Sequence, residues 1–84
     1  MSDFNDLLEI GEFYILSQKF DEAIRTLKRA EKIKKDDARL YFNMGMAYEG
    51  LSSHEQARNA YRAALEINKE YKEAREHLDR LIEQ

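Results

Sequence analysis

Two histidines, His54 and His77, are the side chains of this sequence whose ordinary pKa lies near neutral pH. A catalytic base needs a nucleophile and an orienting group beside it. No serine, histidine and carboxylate spacing singles out either residue. No glycine-rich loop that would cradle phosphate is present, and with no cysteine a thiolate metal site is excluded. His54 therefore reads as a turn residue and His77 as a solvent-facing one, neither of them a metal ligand. The residues predict no enzyme, no cofactor and no metal.

Cations are the next candidates. Arg25, Lys28, Arg29, Lys32, Lys34 and Lys35 face only Glu31, a net of +5 over that stretch. Such a run can neutralise phosphates. No aromatic residues interleave it for base stacking, and the whole chain carries −3, so nucleic acid is not the expected partner. The run reads as the solvated outer face of a helix, its last cations favourably placed at the helix C-terminus.

These residues must sit on helices. The 84 residues include no proline, three glycines and 37% charged side chains, which predicts one small all-α domain. No apolar run reaches the roughly 18 residues that span a membrane, and no signal-peptide pattern opens the chain. No disulfide is possible, and a cytoplasmic location is expected.

A first helix is predicted from near Phe4 to near Ser17, capped by Ser2 or Asp3. Its apolar residues, among them Ile10, Phe13 and Leu16, are too many for one stripe, so it is expected to pack on more than one side. Gln18 and Lys19 make a turn. A second helix runs from Phe20 or Asp21 to Ile33, with Ala23, Ile24, Leu27, Ala30 and Ile33 inward. A third carries Leu40, Tyr41, Met44, Ala47 and Tyr48 until Gly50, Ser52 and Ser53 interrupt it. A fourth runs from His54 to Ile67, and a last one from about Tyr71 to Glu83 with Ala74, Leu78, Leu81 and Ile82.

The helices repeat. A shift of 34 residues brings Gly11 onto Gly45, Tyr14 onto Tyr48, Ala23 onto Ala57, Ala30 onto Ala64 and Ile33 onto Ile67. A glycine inside a helix costs roughly 1 kcal/mol against alanine, so its recurrence marks a close helix crossing. A second shift puts Leu78, Leu81 and Ile82 on Met44, Ala47 and Tyr48, but Asp79 on Gly45. The last helix thus reads as a cap, with Asp79 facing water where no further helix crosses.

With Gly11, Tyr14, Phe20, Ala23, Leu27 and Ala30 in one unit and Tyr41, Gly45, Tyr48, Ala57, Tyr61 and Ala64 in the next, the chain resembles the tetratricopeptide repeat. Its departures are Lys35 and Lys69 for the proline near the repeat end, His54 for an aromatic, and Leu7 for a large aromatic. The resemblance implies a right-handed all-α solenoid of five helices built from tandem helix–turn–helix units. Residues 4–37 and 38–71 would be full repeats and 72–84 a capping helix, within a single domain 1–84.

The resemblance also implies a non-catalytic protein-interaction module that binds a peptide or partner helix in a concave groove. Helical spacing would place Asn5, Leu8, Glu9, Glu12 and Leu16 there, followed by Arg39, Phe42, Asn43, Met46 and Glu49, then Glu73, Glu76, His77 and Arg80. Leu8, Phe42 and Met46 would form an apolar strip flanked by carboxylates, which favours a basic-apolar partner. Relatives that grip acidic chaperone tails use a basic clamp. Its slots hold Leu8, Glu12, Asn43, Glu73 and His77, of which only Asn43 suits a carboxylate, so this sequence argues against such a ligand. The alternative reading is a structural unit that self-associates as a homo-oligomer or forms part of a longer array.

Overall fold

The computed structural model describes residues 3–82. Five helices follow one another: α1 (Phe4–Leu16), α2 (Phe20–Ile33), α3 (Ala38–Gly50), α4 (His54–Ile67) and α5 (Lys72–Ile82). Ser2 and Glu83, expected at the two ends, lie outside the described residues.

Local chemistry repeats with the same period as the sequence. The Asp3 side chain accepts from the Asp6 N–H at 2.8 Å, and the Asp37 side chain accepts from the Leu40 N–H at 3.1 Å. Each satisfies a backbone donor that the first turn of a helix leaves free. The turns inside the hairpins match as well. Gln18 (φ 60°) and Ser52 (φ 58°) both take the left-handed conformation. For a residue other than glycine this costs roughly 1–2 kcal/mol. Two backbone bonds offset it in each turn: Gln18 N–H to Ile15 and Lys19 N–H to Tyr14, then Ser52 N–H to Glu49 and Ser53 N–H to Tyr48. Gly50, expected to interrupt α3, is its last helical residue and has no positive φ. A Cβ there would meet the Phe20 ring at 2.5 Å, so this glycine serves contact between the hairpins rather than turn geometry.

Each helix packs on the next, and α1 also reaches α3. The particle is elongated, 41 × 25 × 16 Å. One core cluster gathers Phe4, Leu7, Leu8, Leu27, Leu40 and Met44; a second gathers Tyr61, Leu65, Ala74, Leu78 and Leu81. A Cβ on Gly11 would meet Leu27 at 2.5 Å, and one on Gly45 would meet the Tyr61 ring at 2.5 Å. Leu27 and Tyr61 are themselves 34 residues apart, so one crossing is built twice. Tyr41 ties the hairpins together by donating to Glu31 at 3.0 Å. Burial, then the Glu31 bond, pushes its phenol up to about 12.

Two expectations are corrected. Ile33 and Ile67 are not core residues: each is the last residue of its helix, and they are 56% and 43% exposed. The first helix does not bury apolar residues on several sides, since Ile10 is 40% exposed and Phe13 63%. Their repeat partners Met44 and Ala47 are buried, because α3 has a preceding hairpin to meet.

Candidate functional site

The helices α1, α3 and α5 share one side of the molecule, and their side chains meet across it. Glu12 on α1 accepts two hydrogen bonds from the Arg39 guanidinium, 2.7 Å at Oε2 and 2.6 Å at Oε1. The Asn43 amide donates to Oε2 at 2.7 Å. The two-pronged geometry suits a guanidinium and a carboxylate. Burial pushes the Glu12 carboxyl up, but the Arg39 and Asn43 bonds together outweigh it and hold it below its ordinary range. The same pair raises the Arg39 pKa, chiefly through its bond to Glu12.

A depressed carboxyl in the folded state stabilises the fold above its unfolded pKa, and that gain disappears as pH falls through the folded pKa. Glu12→Gln is therefore expected to lower Tm at neutral pH. At a pH below the folded pKa of Glu12, wild type and variant should melt together. A thermal-melt series against pH checks this, and a gap between the two that persists in acid would refute the role given to the ion pair.

At the other end of the groove a second cluster forms. The Tyr61 hydroxyl donates to Glu49 Oε1 at 2.5 Å, and His77 Nδ1 lies 2.8 Å from the same oxygen. Burial, then the Glu49 bond, pushes the Tyr61 phenol far up, so it remains a donor. Arg80 approaches His77 Nδ1 at 3.0 Å. This nitrogen serves one neighbour at a time: as N–H it donates to Glu49, and as a bare nitrogen it accepts from Arg80. Phe42 lies beneath, 5.1 Å from the Tyr71 ring and stacked on it, and edge-on to His77 at 5.4 Å.

The predicted groove residues thus divide. Leu8 is 2% exposed inside the first core cluster and cannot meet a partner. Phe42 is half-buried among Tyr61, Tyr71 and His77, so it packs α5 against α3. The two positions are repeat equivalents, at the place where consecutive helices of this layer converge. Asn43 is buried and holds Glu12. His77 is not a freely solvated residue, because its ring is enclosed by Glu49, Tyr61 and Phe42. Glu9 is exposed on α1, and Arg39 is exposed but committed to Glu12.

What lines the open groove instead is Ile15, Leu16 and Met46, flanked by Glu12, Asn43, Glu49 and His77. Leu16 is 84% exposed. Helical spacing put Leu16, Leu8 and Phe42 on one groove face; Leu16 is exposed, whereas Leu8 lies in the first core cluster and Phe42 packs against the second. The 34-residue equivalence of Leu8 and Phe42 was the available signal, since shared repeat positions tend to share packing roles. The basic residues from Arg25 to Lys35 are exposed on and beyond α2, and Lys34 lies 5.5 Å from the Phe4 ring centre.

The fold and this site define a helical-repeat protein with paired helices and a lined groove. A TPR repeat family model matches residues 11–52, and a tetratricopeptide repeat model matches residues 38–71. The chain belongs to the tetratricopeptide repeat family, whose repeats generally mediate protein–protein interactions. No curated protein gives a significant match to the chain. Among the described residues no helix is long and apolar enough to cross a membrane.

Proposed function

We propose that this chain is a non-catalytic interaction module whose groove, formed by α1, α3 and α5, receives a basic-apolar peptide or partner helix. The observation that carries this reading is the open patch of Ile15, Leu16 and Met46 beside carboxylates. A leucine so exposed at the mouth of a groove contributes little to folding and is available to a partner. Glu9, Glu73 and Glu76 are exposed on α1 and α5 and carry the steering charge. Apolar contacts should carry most of the affinity, since exposed ion pairs contribute only about 0–1 kcal/mol each.

Leu16→Ala is therefore expected to leave Tm within about 1 °C to 4 °C of wild type. The same change should weaken a selected basic-apolar peptide about ten-fold, as loss of an interface anchor does. Lys28→Glu, on the opposite helix layer, should leave binding intact. Titration calorimetry with peptides selected from a library reads all three proteins. Binding that follows Lys28 and ignores Leu16 would remove the groove from consideration.

The second reading, self-association, is favoured by a different observation: Ile10 and Phe13 stand open on α1 where the equivalent residues of α3 are buried. Light scattering across concentrations separates the readings. Association of wild type that Phe13→Ser abolishes would support the second.

A further inference from the structure

The groove carboxylates are not equivalent, and their hydrogen bonds say which one is free to take a partner's charge. Glu12 has both oxygens occupied, Oε1 by Arg39 and Oε2 by Arg39 and Asn43. Its charge is already matched by a guanidinium. Glu49 differs. Both of its protein contacts, Tyr61 and His77, fall on Oε1, and no hydrogen bond reaches Oε2 from the described residues. That oxygen is not sealed in the core: the side chain is 26% exposed, and no buried side-chain oxygen is left without a partner among the described residues. No lysine or arginine of the described residues lies within ion-pair distance of Glu49; its one such neighbour is His77, whose charge depends on protonation.

The surroundings of Glu49 are apolar on one side. The cleft it lines with His77 has walls of Ile15, Leu16, Phe20 and Met46. A cleft with apolar walls and a carboxylate in its lining matches a ligand with a long apolar stem and a cationic head. We infer that this cleft is the seat for a lysine side chain of the bound peptide, with its methylenes along Leu16 and Met46 and its ammonium on Glu49 Oε2. Lysine suits the seat better than arginine, because one free oxygen accepts a point donor, whereas a guanidinium is matched best by two. The stem buries apolar surface while the head stays wet at the rim. Tyr61 and His77 hold the carboxylate in place, so little ordering remains when the ammonium arrives. This inference rests on the groove reading above and assigns one position within it.

The test uses two probes that differ only in charge at the end of the stem: the tripeptide amides acetyl-Leu-Lys-Leu and acetyl-Leu-norleucine-Leu. Each is titrated into the full chain and followed by NMR at the Leu16 and Met46 methyl groups and the His77 ring. Both probes should move the methyl signals. The lysine probe should also move His77 and bind about five-fold tighter, as one charge-assisted hydrogen bond at a partly exposed carboxylate provides. Glu49→Gln should erase the difference between the probes while the methyl shifts persist. Equal affinity of the two probes for wild type, with methyl shifts present, overturns the lysine seat and leaves the groove reading standing. Absence of methyl shifts with either probe overturns both. A lysine preference that survives Glu49→Gln assigns the ammonium to another carboxylate and overturns the seat.

Discussion

Gly45→Leu should force the helices of the central hairpin apart, lowering stability by about 3 kcal/mol and Tm by roughly 12–24 °C. A Cβ at this position already meets three atoms of the Tyr61 ring, at 2.5, 2.7 and 2.8 Å. The ring has nowhere to go. It is fully buried, its hydroxyl is bound to Glu49, and Phe42 and His77 lie against it. The equivalent Gly11 faces Leu27, with Cδ2 at 2.5 Å and Cγ at 2.8 Å, a smaller side chain that no hydrogen bond holds in place. Gly11→Ala should therefore cost less than Gly45→Ala. Asp79 occupies the third equivalent position, is exposed, and forms only a 4.0 Å pair with Arg75. Asp79→Ala should be nearly neutral, because alanine's helix propensity compensates for a weak surface pair. Thermal melts of these variants decide the matter. Equal damage at Gly45 and Asp79 would mean that α5 is crossed by another helix and is not a cap.

Removing residues 72–84 should leave a chain that unfolds or aggregates at room temperature. The helix α5 contributes Ala74, Leu78 and Leu81 to the second core cluster, all of them buried. Without it Tyr61 and Leu65 lose their cover, and Phe42 loses the ring of His77. Leu78→Ala alone should cost roughly 2–5 kcal/mol, as truncation of a buried leucine does. A domain of this size has only about 5–15 kcal/mol in total, and small domains sit at the low end. Circular dichroism melts and sedimentation of the truncated chain test this directly. A monomeric truncation with a cooperative melt would show that α5 is dispensable.

Much of the fold was legible because the repeat writes the same local solutions twice. Gly11 and Gly45, Leu27 and Tyr61, and Ala30 and Ala64 each recur where helices cross, and steric demand at a crossing is visible in residue size. The groove was less legible. Leu8, Leu16 and Phe42 are all large apolar residues on one helical face, and periodicity ranks them alike. The outcome for each depends on how closely the next helix of the layer approaches, which lies outside the helix that carries it.

Residue order alone determined the five helices, their 34-residue period and the close crossings at Gly11 and Gly45. These follow from side-chain size, capping chemistry and spacing within reach of a few turns. The tertiary structure decided the rest. It committed Arg39 and Asn43 to Glu12, set His77 of α5 against Phe42, and bound Glu49 to His77. Each of these joins residues about thirty positions apart, and such pairings depend on the distance and angle between helices rather than on the pattern along any one of them.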